Sequence, residues 1–133
     1  MGSFSDTPSL ISGGNIEPNR FVKPSTTADD YGLQAAASTT PVLGVSDMST
    51  RKFDSAYHAI AEDPITLQGG DIVYVTAAGV IASGAYVESD ANGKAVTATT
   101  TSGSRYHGYV ALQAATAGSL CKIQRVSGMH YYP

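Results

Sequence analysis

Tryptophan is absent, cysteine occurs once, and charged residues make up only 14% of the 133-residue chain, against about 25% in an average domain. A lone cysteine cannot form a disulfide within the chain, so Cys121 reads as a small buried hydrophobe inside Leu120-Cys121-Lys122-Ile123. The net charge of −3 carries no basic stripe, which removes the electrostatic footprint of a nucleic-acid-binding protein. No apolar run approaches the roughly 20 residues that cross a bilayer. The N-terminus lacks the basic flank and apolar stretch of a secretory signal, and Asp6 stands where a myristoylation signal takes Ser or Thr. The expectation is a chain made without export signals, with no membrane and no nucleic-acid partner.

Ala, Ser, Thr and Gly fill the place of the missing charge. A chain of this length buries enough surface for one core without staples. The expected organisation is an extended arm over residues 1–19 and a single β domain over 20–133. The arm segment has isolated apolar residues, Phe4, Leu10, Ile11 and Ile16, with breakers at Gly13-Gly14 and Pro18. It reads either as a disordered tail or as an arm that orders on a partner. About 18 extended residues reach at most roughly 60 Å. In the arm reading Ile11 and Ile16 are the first anchors on a neighbour.

Short β-type runs follow from Arg20 onward, separated by turn residues at the 8–12-residue spacing of a sandwich or barrel. Ile72-Val73-Tyr74-Val75-Thr76 is the clearest strand, β-branched and aromatic throughout. Leu120 to Val126 is the closing one. A single stretch carries a helical period: Phe53, Ala56, Tyr57 and Ile60 within Ser49–Glu62, ended by Asp63-Pro64. It reads as a helix or an irregular loop.

The chain also repeats itself. Phe21-Val22-Lys23, Ala28-Asp29-Asp30, Leu33-Gln34-Ala35-Ala36 and Gly44-Val45 are matched by Tyr86-Val87-Glu88, Ala91-Asn92-Gly93, Val96-Thr97-Ala98-Thr99 and Gly108-Tyr109-Val110. The first match lies 65 positions on, the later ones 63 to 64. Both copies read strand, tight turn, strand, loop, strand. Two copies suit one pseudo-symmetric barrel or sandwich, since a solenoid needs three or more.

Chemistry is sparse. His58, His107 and His130 stand alone, without Cys or a paired His at ligand spacing. Glu88-Ser89-Asp90-Ala91-Asn92-Gly93 starts like a calcium loop but lacks the later carboxylates, so a hairpin turn is the reading. No serine lies in a Gly-x-Ser-x-Gly elbow. The acidic pairs Asp29-Asp30 and Glu62-Asp63 are adjacent and point apart in extended chain. No catalytic, cofactor-binding or metal residue is therefore assigned and no cofactor is expected. The candidate residues are interface ones: Leu10, Ile11, Ile16, Phe21 and the terminal Tyr131 and Tyr132. Tyrosine is enriched where chains meet, because it buries area and keeps a polar tip. A last strand tucked onto its own domain accounts equally well for Tyr131-Tyr132.

Gly14-Asn15-Ile16-x-Pro18-x-Arg20-Phe21-Val22, then Pro41-Val42-Leu43-Gly44-Val45-Ser46, then Tyr86 to Val96, Gly108-Tyr109-Val110-Ala111-Leu112 and Ile123-Gln124-Arg125-Val126 together resemble the small head-decoration (cement) proteins of tailed bacteriophages. The resemblance spans about residues 14–127. It implies a mainly-β fold, a small β-barrel, β-tulip or sandwich, and a homotrimer on the outer surface of the capsid in the virion. It implies the major capsid protein as partner, bridged to stabilise the head, and neither catalysis nor a cofactor. The alternative is a receptor- or glycan-binding module of a virion or cell surface, using aromatics such as Tyr31, Tyr86, Tyr106 and Tyr109. A small hydrolase and a tail-tube subunit are more distant readings.

Overall fold

A computed structural model describes residues 10–37, 41–51, 56–98 and 103–132, of which 103–107 and 127–132 are described by backbone alone. The fold is all β among these residues. Its strands are β1 (Leu10–Ser12), β2 (Phe21–Pro24), β3 (Tyr31–Gln34), β4 (Gly44–Val45), β5 (Pro64–Ile65), β6 (Ile72–Thr76), β7 (Tyr86–Ser89), β8 (Ala95–Thr97), β9 (Gly103–Ala111) and β10 (Leu120–Tyr132). They form two five-stranded sheets, ordered β4-β2-β3-β1-β5 and β6-β10-β9-β7-β8.

Each sheet curls back onto itself. Ser46, just after β4, bridges Leu67, just after β5. Ala77, just after β6, bridges Ala95 at the start of β8. The result is two small rings, one behind the other in sequence, and closure hides sheet edges that would otherwise recruit other strands.

The two rings are the same structure twice. Phe21 pairs with Val45, and 65 positions on Tyr86 pairs with Val110. Val22 pairs with Gln34 as Val87 pairs with Thr97. The likeness runs well beyond the segments visible in the sequence. The Ile16–Ala59 bridge matches Ile81–Ala115, and Ser46–Leu67 matches the pair Ala111–Ile123. β1 runs parallel to β3 through Ser12 and Gly32, as Ala77 runs parallel to Ala95. Even the left-handed residues correspond: Asn19 (φ 56), Asp30 (φ 64) and Glu62 (φ 73) in the first ring stand where the second has Gly84 (φ 87), Gly93 (φ 73) and Gly118 (φ 84).

The interiors agree position by position. Leu10, Ile16, Val22, Ala59, Ile65 and Leu67 fill the first ring. Val75, Ile81, Val87, Ala115, Cys121 and Ile123 fill the second. Alternation along each strand puts these side chains on the concave face, and each fully buried Ile or Val contributes about 1.5–3 kcal/mol. Cys121 is buried as expected, and burial pushes its thiol up from the usual range.

One sequence expectation is corrected here and one open choice is decided. Residues 10–19 are not arm. β1 sits between β3 and β5, and Ile16 is fully buried with its backbone paired to Ala59 in both directions. The helical period over Ser49–Glu62 does not make a helix in the described part. Residues 48–58 occupy the place that residues 113 and 114 hold in the second ring, as an inserted loop, of which 52–55 lie outside the described residues. His58 anchors it: its Nε2 accepts the Thr66 amide at 3.0 Å, which leaves the proton on Nδ1 to donate to the Ser49 carbonyl at 2.8 Å.

Candidate interaction surface

The rings meet through a convex row on the first. Phe21, Val45 and Ala35 point out of the first ring and are buried in one cluster with Val73 and Tyr109 of the second. The Phe21 and Tyr109 rings lie 5.6 Å apart at 47°. Arg125 stacks over Tyr109 at 5.1 Å, donates to its hydroxyl oxygen at 2.7 Å and to the Leu43 carbonyl at 3.0 Å, so it ties the rings together. Burial raises the Tyr109 pKa, and Arg125 partly offsets this. The Phe21 amide donates to the Gly93 carbonyl at 2.8 Å and the Thr76 amide to that of Asn19 at 2.9 Å. Gln68 brackets Tyr74, accepting from its amide at 2.8 Å and donating to its carbonyl at 2.6 Å.

Gly93 is the pinch point. A Cβ there would lie 2.9 Å from the Gln34 side chain and 3.2 Å from the carbonyl oxygens of Ala35 and Phe21. The turn is held by Asp90, whose carboxylate accepts the amides of Asn92 and Lys94 at 2.8 and 2.9 Å. That carboxylate is engaged in its own hairpin, in keeping with the hairpin reading of this loop.

The second ring turns the matching convex face outward. Ile72 pairs with Gln124, Gln124 with Val110, and Val110 with Tyr86, giving one row across four strands. Tyr74, Lys122 and Leu112 form the next row, with the Lys122 ammonium 5.9 Å above the Tyr74 ring. Ile72 is 52% exposed, Leu120 42%, and Tyr74, Tyr86 and Leu112 close to 40%. Apolar groups gathered on one exposed sheet face mark a contact surface more than scattered ones do.

The expected interface residues scatter. Phe21 and Ile16 are corrected from partner anchors to internal ones, because their side chains are consumed by the inter-ring contact and the first-ring core. Leu10 and Ile11 lie half-buried in β1, with Leu10 packed on that core. Tyr131 and Tyr132 lie in β10, with their side chains outside the described residues. Sequence reading missed the Ile72–Gln124–Val110–Tyr86 row, because β6 is apolar on both faces and only the strand pairing assigns them.

Elsewhere the chemistry is structural. Both His58 ring nitrogens are bound to backbone. No group of three or more His, Cys, Asp or Glu poised for a metal occurs among the described residues. An open cleft of about 460 Å³ on the first ring is lined by Ser25, Thr27, Tyr31, Leu33 and Glu62. The Tyr31 hydroxyl donates to Glu62 at 2.6 Å, which raises its pKa. Of the aromatics a glycan site would use, Tyr31 lines this cleft, Tyr86 sits on the second ring's face, Tyr109 is buried, and the side chain of Tyr106 is outside the described residues.

No protein-family model matches the chain, and no curated protein matches it. Among solved structures it is similar to the crystal structure of the head fiber gp8.5 N base of bacteriophage phi29, with a TM-score of 0.63 and 18% identity over 92% of this chain and 94% of that one. At that identity the likeness is one of fold, and it spans both rings.

Proposed function

We propose that the chain is a structural, non-enzymatic protein of a phage head, and specifically a decoration (cement) protein. In this reading it sits as a homotrimer on the outer surface of the capsid and bridges major capsid protein subunits. The supporting observation is the shared two-ring fold, which covers nearly the full length of a head fiber base. The sequence resemblance to head-decoration proteins leads to the same class from the residues alone.

The chemistry of the surface suits the task. An adhesive that grips several subunits needs modest contacts repeated, because each contact made raises the effective concentration for the next. A low-charge surface with apolar groups on an exposed sheet face provides such contacts without long-range repulsion. The arm in this reading is residues 1–9, which lie outside the described residues, with Phe4 as its apolar anchor. Deleting residues 2–18 would remove β1 and Ile16 and so disrupt the first ring. Deleting 2–9 is the clean test of the arm, and weaker head binding with unchanged melting is the expected outcome.

The reading as a whole is tested by co-sedimenting the purified chain with heads lacking it. Saturable binding, and shells that better survive heat or low salt, are expected. Folded protein that stays in the supernatant at saturating concentration would overturn it.

A further inference from the structure

Four residues form one row on the convex face of the first ring. Gln68 donates its amide to Val45, Val45 pairs with Phe21, and Ala35 donates its amide to Phe21. The second ring repeats the row with nearly the same residues: Gln124 pairs with Val110, Val110 with Tyr86, and Ala98 donates its amide to Tyr86. Glutamine matches glutamine, valine valine, alanine alanine, and phenylalanine tyrosine.

The two rows have opposite fates. In the first ring Phe21, Val45 and Ala35 are at most 1% exposed, covered by the second ring. In the second, Gln124 is exposed, Tyr86 is 37% exposed, and Val110 and Ala98 are half-buried. The single exchange, Phe to Tyr, adds a hydroxyl and leaves an aromatic that tolerates water when free and packs when covered.

We infer that the row Gln124–Val110–Tyr86–Ala98 docks a second copy of this chain. The covered first-ring row shows what such a row packs against, namely a ring of this same fold. The receiving edge used within the chain, formed by Val73, Tyr109 and Arg125, is filled by the chain's own first ring. With that edge filled, the arrangement we infer sets the exposed rows of different copies against one another around a symmetry axis, a self-complementary contact that closes the assembly rather than letting it grow. The backbone beside the row points the same way. β9 and β10 continue past it as a two-stranded ribbon, pairing His107 with His130 and Gly103 with Tyr132, with no third strand among the described residues. An isolated two-stranded ribbon is marginal in water, and its open edges are completed by a copy lying alongside. The inference deepens the self-association part of the proposed function and is independent of capsid attachment.

Sedimentation equilibrium of the full chain from about 1 to 100 μM tests it. The expected result is a closed oligomer that weakens about tenfold or more in Val110→Lys, Tyr86→Glu and Gln124→Glu. Gln124 is already exposed, so Gln124→Glu keeps the fold and gathers like charges at the axis. Val80→Glu, at a position 80% exposed and off the row, leaves association unchanged. A wild-type chain that is monomeric over the range, or a folded Gln124→Glu that associates like wild type, would overturn the inference. Head binding of the same proteins separates the two readings. A monomer that saturates heads removes the row and leaves cementing. An oligomer that ignores heads does the reverse.

Discussion

The first ring and the second share their register, their interior and their left-handed positions, yet they solve the same local problems with different residues. The first carries Asn19, Asp30 and Glu62 at positive φ, where the second carries glycines. The first fixes a turn with the Asp63 carboxylate accepting the Ile60 amide, where the second uses the Ser119 hydroxyl on Thr116. Above all, the first hides its convex row and the second shows it. Backbone geometry is thus what the duplication kept, and side-chain choice follows what lies on the other side. Phe21 is apolar because a ring covers it, and Tyr86 keeps a hydroxyl because water reaches it.

Matched substitutions break this comparison at graded cost. Phe21→Ala empties the inter-ring contact and is expected to cost about 3–5 kcal/mol in urea unfolding, whereas Tyr86→Ala at the equivalent position costs under about 1 kcal/mol in the monomer. Equal losses would mean the two rows have the same environment. Gly93→Ala combines a left-handed residue with sub-contact distances across the inter-ring seam, and about 2–4 kcal/mol is expected. Gly84→Ala has the φ penalty alone, with nothing within 4 Å, and about 1–2 kcal/mol is expected. Asp30→Gly, which gives the first ring the residue type of the second, should stabilise it by up to about 1 kcal/mol, the relief of left-handed strain exceeding the added freedom of the unfolded chain.

The smallest effect is a pH one. The Ile60 amide foremost, and Arg51 at 2.6 Å, hold the Asp63 carboxyl below the ordinary carboxylate range. A depressed folded value means that its contribution is present above the unfolded pKa of about 3.9 and fades as pH falls through the lower folded one. Ser119 does not titrate. In an acid titration by NMR, the Ile60 amide shift should move while that of Thr116, its counterpart, stays. Parallel movement of both would separate this cap from its carboxylate.

Much of this was legible in the chain. Strand composition and turn grammar marked most strands, because β-branched runs between Gly, Asn and Asp signal themselves locally. The repeat surfaced through β2 to β4 and β7 to β9 for the same reason. Its remainder did not. β1 is three residues next to Gly13-Gly14, and its partners Tyr31 and Pro64 are distant, so nothing local announces it. The match of Ile16 to Ile81 is carried by isolated bridges, with no strand around them. The helical spacing in Ser49–Glu62 left helix and loop open, and what decides for a loop in the described part is long-range: His58 bonds the Thr66 amide and Ala59 bridges Ile16. The docking face was hard to read because Ile72 and Tyr74 look like core in a strongly apolar strand. Only the pairing shows which side of β6 turns inward.

Cryo-EM of heads assembled without the protein and then incubated with it tests the central claim most directly. The account predicts two-ring subunits on the outer surface of the shell, clustered around a symmetry axis with their second-ring rows turned inward to it. Bare shells beside folded, soluble protein would contradict it.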